Sequence, residues 1–515
     1  MKVLLIVVLV LLPLHTYGQI PTVCSDANSL GNSICCPDTS DGVCGESAGR
    51  GACVSLSLSG YDSGSSHVRD NWPHYYTQMC SCNGGYGGID CSRCKIGYYG
   101  SDCSRIDVTP RREVGSYTPA EWDEFNRVLR LTREYDSGYQ VVLKEEVPGT
   151  EILETTNASL YGLYVWMHHY AAKDSLASLP DLRDYAHSAP GFTTWHRYHT
   201  LWFEWEIQGM LKQMGDPNYH TFRFAYWDWR VEILNSSGIT TNDLFTEERI
   251  GATYNVGGYP RVNGTVIGDG WDTICWLTLF DICDPRNSTG PLQRCPFTGT
   301  NPCDISNPDW ATIADVDKAL NEDSYDFPPY NILTIGGYRA VVDFLVGTLS
   351  LSECGDDRLC QCLGLSGSDT TCDSLGVTFK ANMHSKIHFI LGVGDLTSAL
   401  TLELTKKGHL EDVAASPNDP VFIFHHLTLD CMFEEWMQSH PDEGYPTFPL
   451  QNPGHKIGDY MVPFMPLYTQ GDMFVPGSTF GFSCSLPNIT VSHATTFSHL
   501  SLCVILLFCL LTLLL

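Results

Sequence analysis

At 515 residues the chain is too long for one small module, and 43% hydrophobic against 17% charged residues excludes a wholly disordered polymer. Fifty-nine acidic against 30 basic residues, a formal net charge of −29, exclude nucleic-acid binding by backbone neutralisation. The 22 cysteines require an oxidising compartment or else heavy metallation.

The N-terminus decides for the oxidising compartment. Lys2 precedes a short apolar run from Val3 to Leu14, and Thr16 and Gly18 are the small residues of a cleavage site. This pattern predicts a secretory signal peptide over 1–18, cut after Gly18, because twelve residues are too few to span a bilayer. Sequons at Asn157, Asn235, Asn263, Asn287 and Asn488 then favour a glycosylated surface.

Ten cysteines crowd between Cys24 and Cys103, and none follows for more than 170 residues. Within the block, Gly85-Tyr-Gly-Gly-Ile-Asp-Cys91 is echoed by Gly97-Tyr-Tyr-Gly-Ser-Asp-Cys103. These endings resemble epidermal-growth-factor-like modules, in which disulfides replace a core too small to hold itself together. Residues 19–108 are therefore read as a cysteine-rich structural module, with its disulfide pairing left open.

A helix is predicted from Thr118-Pro-Ala-Glu121, where an N-cap threonine, a first-turn proline and a capping-box glutamate coincide. It lies near the start of a large domain over 109–470. Helical patterns follow at Leu160–Ala172, Trp195–Met214, Lys380–Ile390 and Pro420–Ser439. The Gly/Pro-rich stretch from Thr240 to Asp373 carries two further cysteine clusters, Cys275 to Cys303 and Cys354 to Cys372. The expectation is a mainly α fold with long disulfide-stapled loops around a helical centre.

The histidines carry the chemistry. His384 and His388 stand four apart on one helical face and so could share a metal. In Asn418-Asp-Pro-Val-Phe-Ile-Phe-His-His-Leu-Thr-Leu-Asp430, Asn418 or Asp419 is expected to cap a helix that begins at Pro420 and turns His425 and His426 inward. Imidazoles inside an apolar helix cost free energy unless satisfied, which favours ligation. A second set comprises His168 on an apolar helix, His187 in Asp184-Tyr-Ala-His-Ser-Ala-Pro190, and His196 in Phe192-Thr-Thr-Trp-His-Arg197. Two sets of three neutral imidazoles suit two copper ions, each with an open position for a small ligand such as dioxygen.

These segments resemble the two copper motifs of the type 3 copper proteins, and the order of segments is similar to animal melanogenic tyrosinases. Gly454-His-Lys-Ile-Gly-Asp-Tyr-Met-Val-Pro-Phe-Met-Pro-Leu-Tyr468 adds to the likeness. The resemblance implies a four-helix bundle holding a binuclear copper site, with His168, His187 and His196 on one ion and His384, His388 and His426 on the other. His425 and His169 would then be neighbours, with Asp430 orienting a ligand ring and Asp228 doing similar structural work. It implies oxidation of tyrosine- and dopa-like phenols and catechols by dioxygen to ortho-quinones, for melanin formation or matrix crosslinking.

Two departures qualify the likeness. Ser385 stands where many tyrosinases carry an asparagine that positions a water; a single hydroxyl holds such a water differently, so catechols are expected to be favoured over monophenols. Tyr185, two before His187, stands where some members carry a cysteine crosslinked to the ligand, so no thioether is expected. Competing readings are a zinc-loaded dopachrome isomerase, a catechol oxidase without hydroxylase activity, an oxygen carrier, and a matrix protein with a vestigial site. A linker over 471–496 and an uncharged tail over 497–515 complete the chain, the tail being a membrane span or a glycolipid-anchor signal. The expected location is the secretory pathway, with a lumenal or extracellular catalytic domain attached to a membrane.

Overall fold

The computed structural model describes residues 19–56, 72–73, 76–144, 154–172, 185–187, 190–230, 313–321, 416–445 and 454–487, with single residues and pairs elsewhere between 244 and 410. The signal segment 1–18, the tail 497–515, Ser385, and the loop cysteines Cys283, Cys295, Cys303, Cys354, Cys360, Cys362 and Cys372 lie outside the described residues. Among the described residues no helix is long and apolar enough to cross a membrane.

Three long helices surround the histidines: Leu160–Ala172, Gly191–Gln213 and Val421–Ser439. The second packs against both of the others. All but one residue of the first helix is buried, and most of the other two as well, so none shows the polar stripe of a surface helix. A fourth helix, Pro119–Glu134, lies against the first and starts as its sequence dictates. The Thr118 side chain caps the Glu121 amide, and the Glu121 side chain returns to the Thr118 amide. The third helix starts one position later than expected. Pro420 is its N-cap, and Asp419 acts from one residue further out, its Oδ1 accepting the Val421 amide at 3.0 Å. A proline has no amide to offer the first turn, so the cap contact passes to the next N–H.

The cysteine-rich segment is built on five disulfides, Cys24–Cys35, Cys36–Cys53, Cys44–Cys80, Cys82–Cys91 and Cys94–Cys103. Its largest sheet has three short strands, with Gln78–Cys82 between Ile34–Cys35 and Gly51–Ser55. This segment is sutured to the helices rather than merely tethered. Arg93 donates to Glu206 at 2.7 Å and to the Trp205 carbonyl at 2.9 Å, and its guanidinium lies 3.6 Å from the centre of the indole ring. Trp205 Nε1 in turn donates to the Cys94 carbonyl at 2.7 Å. At Gly209 a Cβ would stand 2.5 Å from Arg93 Nη2, so any larger residue there has to displace the guanidinium.

Residues 471–487 correct the expected linker. Phe482–Ser483 forms a parallel pair with Thr109–Pro110, Met473 and Phe482 are fully buried, and Cys484 is disulfide-bonded to Cys431 in the third helix. Arg111 bridges this closure: it pairs with Glu204, donates to the Phe224 carbonyl, and lies over the Phe482 ring. The segment lacks periodicity because its partners are remote strands and side chains, not its own neighbours. Six disulfides among the described residues place folding in the oxidising secretory pathway.

Candidate metal centre

His168 sits on the first helix, His196 near the start of the second and His426 in the first turns of the third. His187 lies on a short connecting bend, tied down where the Tyr185 amide donates to the Ala171 carbonyl at 3.0 Å. The ligand atoms of His168, His187 and His196 all lie within 4.8 Å of one another. His384, His388, His425 and His426 satisfy the same condition. The structure therefore brings all six expected histidines into two sets and adds His425 to the second.

The sets adjoin. The His196 and His426 rings are stacked with centroids 4.3 Å apart, and the His187 and His384 centroids are 6.4 Å apart. Within the first set the Nε2 atoms of His168 and His196 are 3.4 Å apart; within the second, those of His388 and His426 are 3.3 Å apart. Backbone carbonyls fix two of these rings. His196 Nδ1–H donates to the Phe192 carbonyl at 2.8 Å, and His388 Nδ1–H donates to the Leu410 carbonyl at 2.7 Å. Each bond selects the tautomer whose Nε2 lone pair faces the centre, as metal-bound imidazoles require.

Asp430 does not do this work. It accepts from Arg197 Nε at 2.5 Å, and Asp228 likewise pairs with Arg230 at 2.8 Å. A carboxylate in the low-dielectric interior is held by the nearest guanidinium before a neutral imidazole.

Burial pushes His168, His196, His384, His425 and His426 well below the ordinary histidine range, with neighbouring imidazoles adding to the effect. Burial lowers His388 to about 4, partly offset by the Leu410 carbonyl. Neutral imidazole is the ligating form. Both nitrogens of His384, and Nδ1 of His168 and of His426, are buried without a hydrogen-bond partner. Of these, the His384 nitrogens belong to the second set, where an unpartnered buried acceptor is costly and a cation satisfies it, while Nδ1 of His168 and of His426 lies across the ring from an Nε2 that faces a neighbouring imidazole. The donor set is all imidazole, with neither cysteine nor carboxylate in either group, and this fits copper or zinc rather than calcium or magnesium.

Two aromatic rings were not singled out from the sequence. Phe192 lies 4.5 Å from His196 and 4.7 Å from His384, touching both sets, while Phe422 lies 4.0 Å from His426 and 5.1 Å from His168. Each stands four residues before a histidine of one of the sets, His196 and His426 respectively, on the same helix, a spacing that makes them legible in the sequence. His199 was also overlooked. It stacks on Tyr164 at 4.0 Å, donates from Nε2 to the Tyr164 carbonyl, and is lowered to about 3 by burial.

Two adjacent, buried, all-imidazole sets on packed helices define a binuclear metal centre of the kind used in oxygen chemistry. A family model described as the common central domain of tyrosinase matches residues 158–439, which contain both sets, and the chain belongs to the tyrosinase family. The tyrosinase of Pelophylax lessonae is 29% identical over 513 residues, covering 93% of this chain and 84% of its own length. That of Canis lupus familiaris is 28% identical over 497 residues, covering 91% and 82%. A 5,6-dihydroxyindole-2-carboxylic acid oxidase of Bos taurus is 27% identical over 494 residues, covering 90% and 81%. Among solved structures, a polyphenol oxidase from Thermothelomyces thermophila matches with a TM-score of 0.43 at 15% identity, covering 74% of this chain and 89% of its own. The chain is thus an oxidoreductase of the tyrosinase type, its cofactor is a pair of copper ions, and it oxidises phenols with dioxygen.

Proposed function

We propose that the chain oxidises tyrosine- and dopa-like phenols and catechols to ortho-quinones, with catechols favoured, for pigment formation or matrix crosslinking. In this reading His168, His187 and His196 hold one copper and His384, His388 and His426 the other, on a four-helix scaffold completed by the helix of His384 and His388. The observation that carries it is the stacking of His196 on His426 at 4.3 Å, which makes the two ligand sets neighbours. An EGF-like module over 19–108 is supported by the interlaced Cys36–Cys53 and Cys44–Cys80 bridges followed by the local Cys82–Cys91. The large domain, carried from 109 through the closing segment to 487, and the membrane tail over 497–515 complete the proposed organisation.

When bound, the copper pair supplies the electrons that reduce dioxygen; the protein supplies position. His187, His384 and His388 retain slight exposure of 8%, 6% and 8%, whereas His168 and His425 are fully covered. A phenol therefore reaches the centre from the side of the first three. Phe192, against His196 and His384, offers its ring to the incoming aromatic. The carbonyls of Phe192 and Leu410 hold the His196 and His388 rings in their tautomers throughout. His425 backs His384 in a parallel stack at 5.4 Å and is assigned as a supporting ring, not a ligand.

The test is turnover of dopa and of tyrosine by the full-length, copper-loaded chain in detergent. Dopa is oxidised faster than tyrosine, and Ser385→Asn raises the tyrosine rate. Equal rates on both substrates contradict the preference. Isomerisation of dopachrome by the zinc-loaded chain, with no oxidation by the copper-loaded one, contradicts the whole reading.

A further inference from the structure

The described fold begins at Gln19, which becomes the first residue of the mature chain if cleavage follows Gly18. This end is anchored. Ile20 and Pro21 pair antiparallel with Gln140 and Tyr139, and Ile20 is 2% exposed. Cys24 is bridged to Cys35, and its carbonyl accepts the Tyr76 hydroxyl at 3.0 Å. The strand partner Tyr139 donates its hydroxyl to the Met465 carbonyl, while Trp72 Nε1 donates to the Phe464 carbonyl. The chain start thus lies at the seam between the cysteine-rich segment and the segment that closes the helical core.

Gln19 fits this place badly as an ordinary glutamine. It is 0% exposed, and neither Nε2 nor Oε1 of its carboxamide has a hydrogen-bond partner. A carboxamide carries two donors and an acceptor oxygen, all left unsatisfied here. Cleavage after Gly18 adds an α-ammonium beside it, a charge at a chain start whose neighbour Ile20 is buried in strand pairing. One reaction removes the charge and reduces the number of unsatisfied polar groups, and it is open to glutamine at a chain start.

We propose that Gln19 is converted to pyroglutamate. The α-amino nitrogen attacks Cδ of its own side chain and a new C–N bond closes a lactam. The Cδ–NH2 bond breaks, and ammonia leaves with a hydrogen from the attacking amine. Nothing is oxidised or reduced, and no co-reactant is consumed. The product is neutral and keeps one N–H and one ring carbonyl in place of an ammonium and a free carboxamide. It extends the apolar start formed by Ile20 and Pro21 and holds the seam. The reaction precedes or accompanies docking of the strand, since it needs only the residue's own atoms. The inference rests on the cleavage reading.

The experiment takes the full-length chain made in animal cells, unfolds it, labels every free amine, and only then digests it for mass spectrometry. Labelling first prevents cyclisation during handling from counting. The expected N-terminal peptide starts at position 19, carries no label on its α-nitrogen, and is lighter by one ammonia. A labelled Gln19 overturns the lactam while leaving the cleavage site intact; a different first residue overturns both. Pyroglutamyl aminopeptidase should release the residue from the unfolded chain and not from the native one, and equal release from both overturns the burial argument. Gln19→Ala, which cannot cyclise, should expose a labelled amine and lower the thermal midpoint; an unchanged midpoint overturns the stabilising role.

Discussion

Arg197 follows one proposed ligand, His196, and reaches Asp430 one turn after another, His426, so it locks together the two helices that carry these histidines. Its Nε donates to Asp430 at 2.5 Å, and its Nη2 lies 2.7 Å from Glu434 Oε1, a contact close in distance but off the N–H axis. Nη1 donates to the Val475 carbonyl at 2.8 Å, and the guanidinium lies 4.4 Å from the centre of the Phe433 ring. All three charged side chains are 5% exposed or less. At an effective dielectric of about 20, each ion contact is worth roughly 6 kcal/mol of attraction. Desolvation opposes it by several kcal/mol per ion, so the intact cluster contributes little net stability. Removing the cation is different. Arg197→Met leaves two buried carboxylates one turn apart, and burial already holds Glu434 above its usual range. The expected cost is about 3–5 kcal/mol. Urea unfolding of the purified chain, followed by tryptophan fluorescence, measures it. Copper retained against a chelator should fall in parallel, because His196 and His426 are carried on the same two helices. A loss below about 0.5 kcal/mol, within the range of ordinary surface substitutions, refutes the reasoning.

Three further outcomes follow from the same geometry. Cys431→Ser with Cys484→Ser opens a 53-residue loop, and chain entropy predicts a loss of about 4 kcal/mol, measured as a lower unfolding midpoint. Arg93→Ala removes the guanidinium from Trp205 and Glu206, so limited proteolysis should separate the cysteine-rich segment from the helices while copper content stays unchanged. Glu121 is held down at about 2 by its hydrogen bond from Arg112 and by the Thr118 amide, against an ordinary value of 4.5. Its stabilising effect is therefore fully present above about pH 4.5 and lost as pH falls through about 2. Acid unfolding of Glu121→Gln beside the parent should show a small difference near neutrality that vanishes at the acid end.

Much of this was legible because local chemistry settled it. The capping box at Thr118 and Glu121 and the apolar run of Leu160–Ala172 specify their helices without outside help. The Val421–Ser439 helix starts one residue after the position its sequence predicts, since Pro420 is its cap rather than its first turn. The two histidine sets are legible from their segments, while the choice of His426 over His425 rests on likeness to a family, because both rings stand on the same buried helix. What holds their rings was not legible. The acceptors at His196 and His388 are backbone carbonyls, which carry no side-chain signature. The expectation that Asp430 orients a ligand failed for a related reason: its guanidinium partner is 233 residues away in sequence. The same remoteness made residues 471–487 read as a linker, although Thr109, Pro110, Arg197 and Cys431 all engage them.

The most direct measurement is copper per chain, by elemental analysis of the loaded protein and a series of single histidine variants. Two coppers per chain are expected in the parent. His187→Asn and His384→Asn should each retain one, whereas His425→Asn should retain both, because that ring supports His384 from behind. Two coppers retained in His187→Asn or His384→Asn, or one lost in His425→Asn, contradicts the assignment of the two sets.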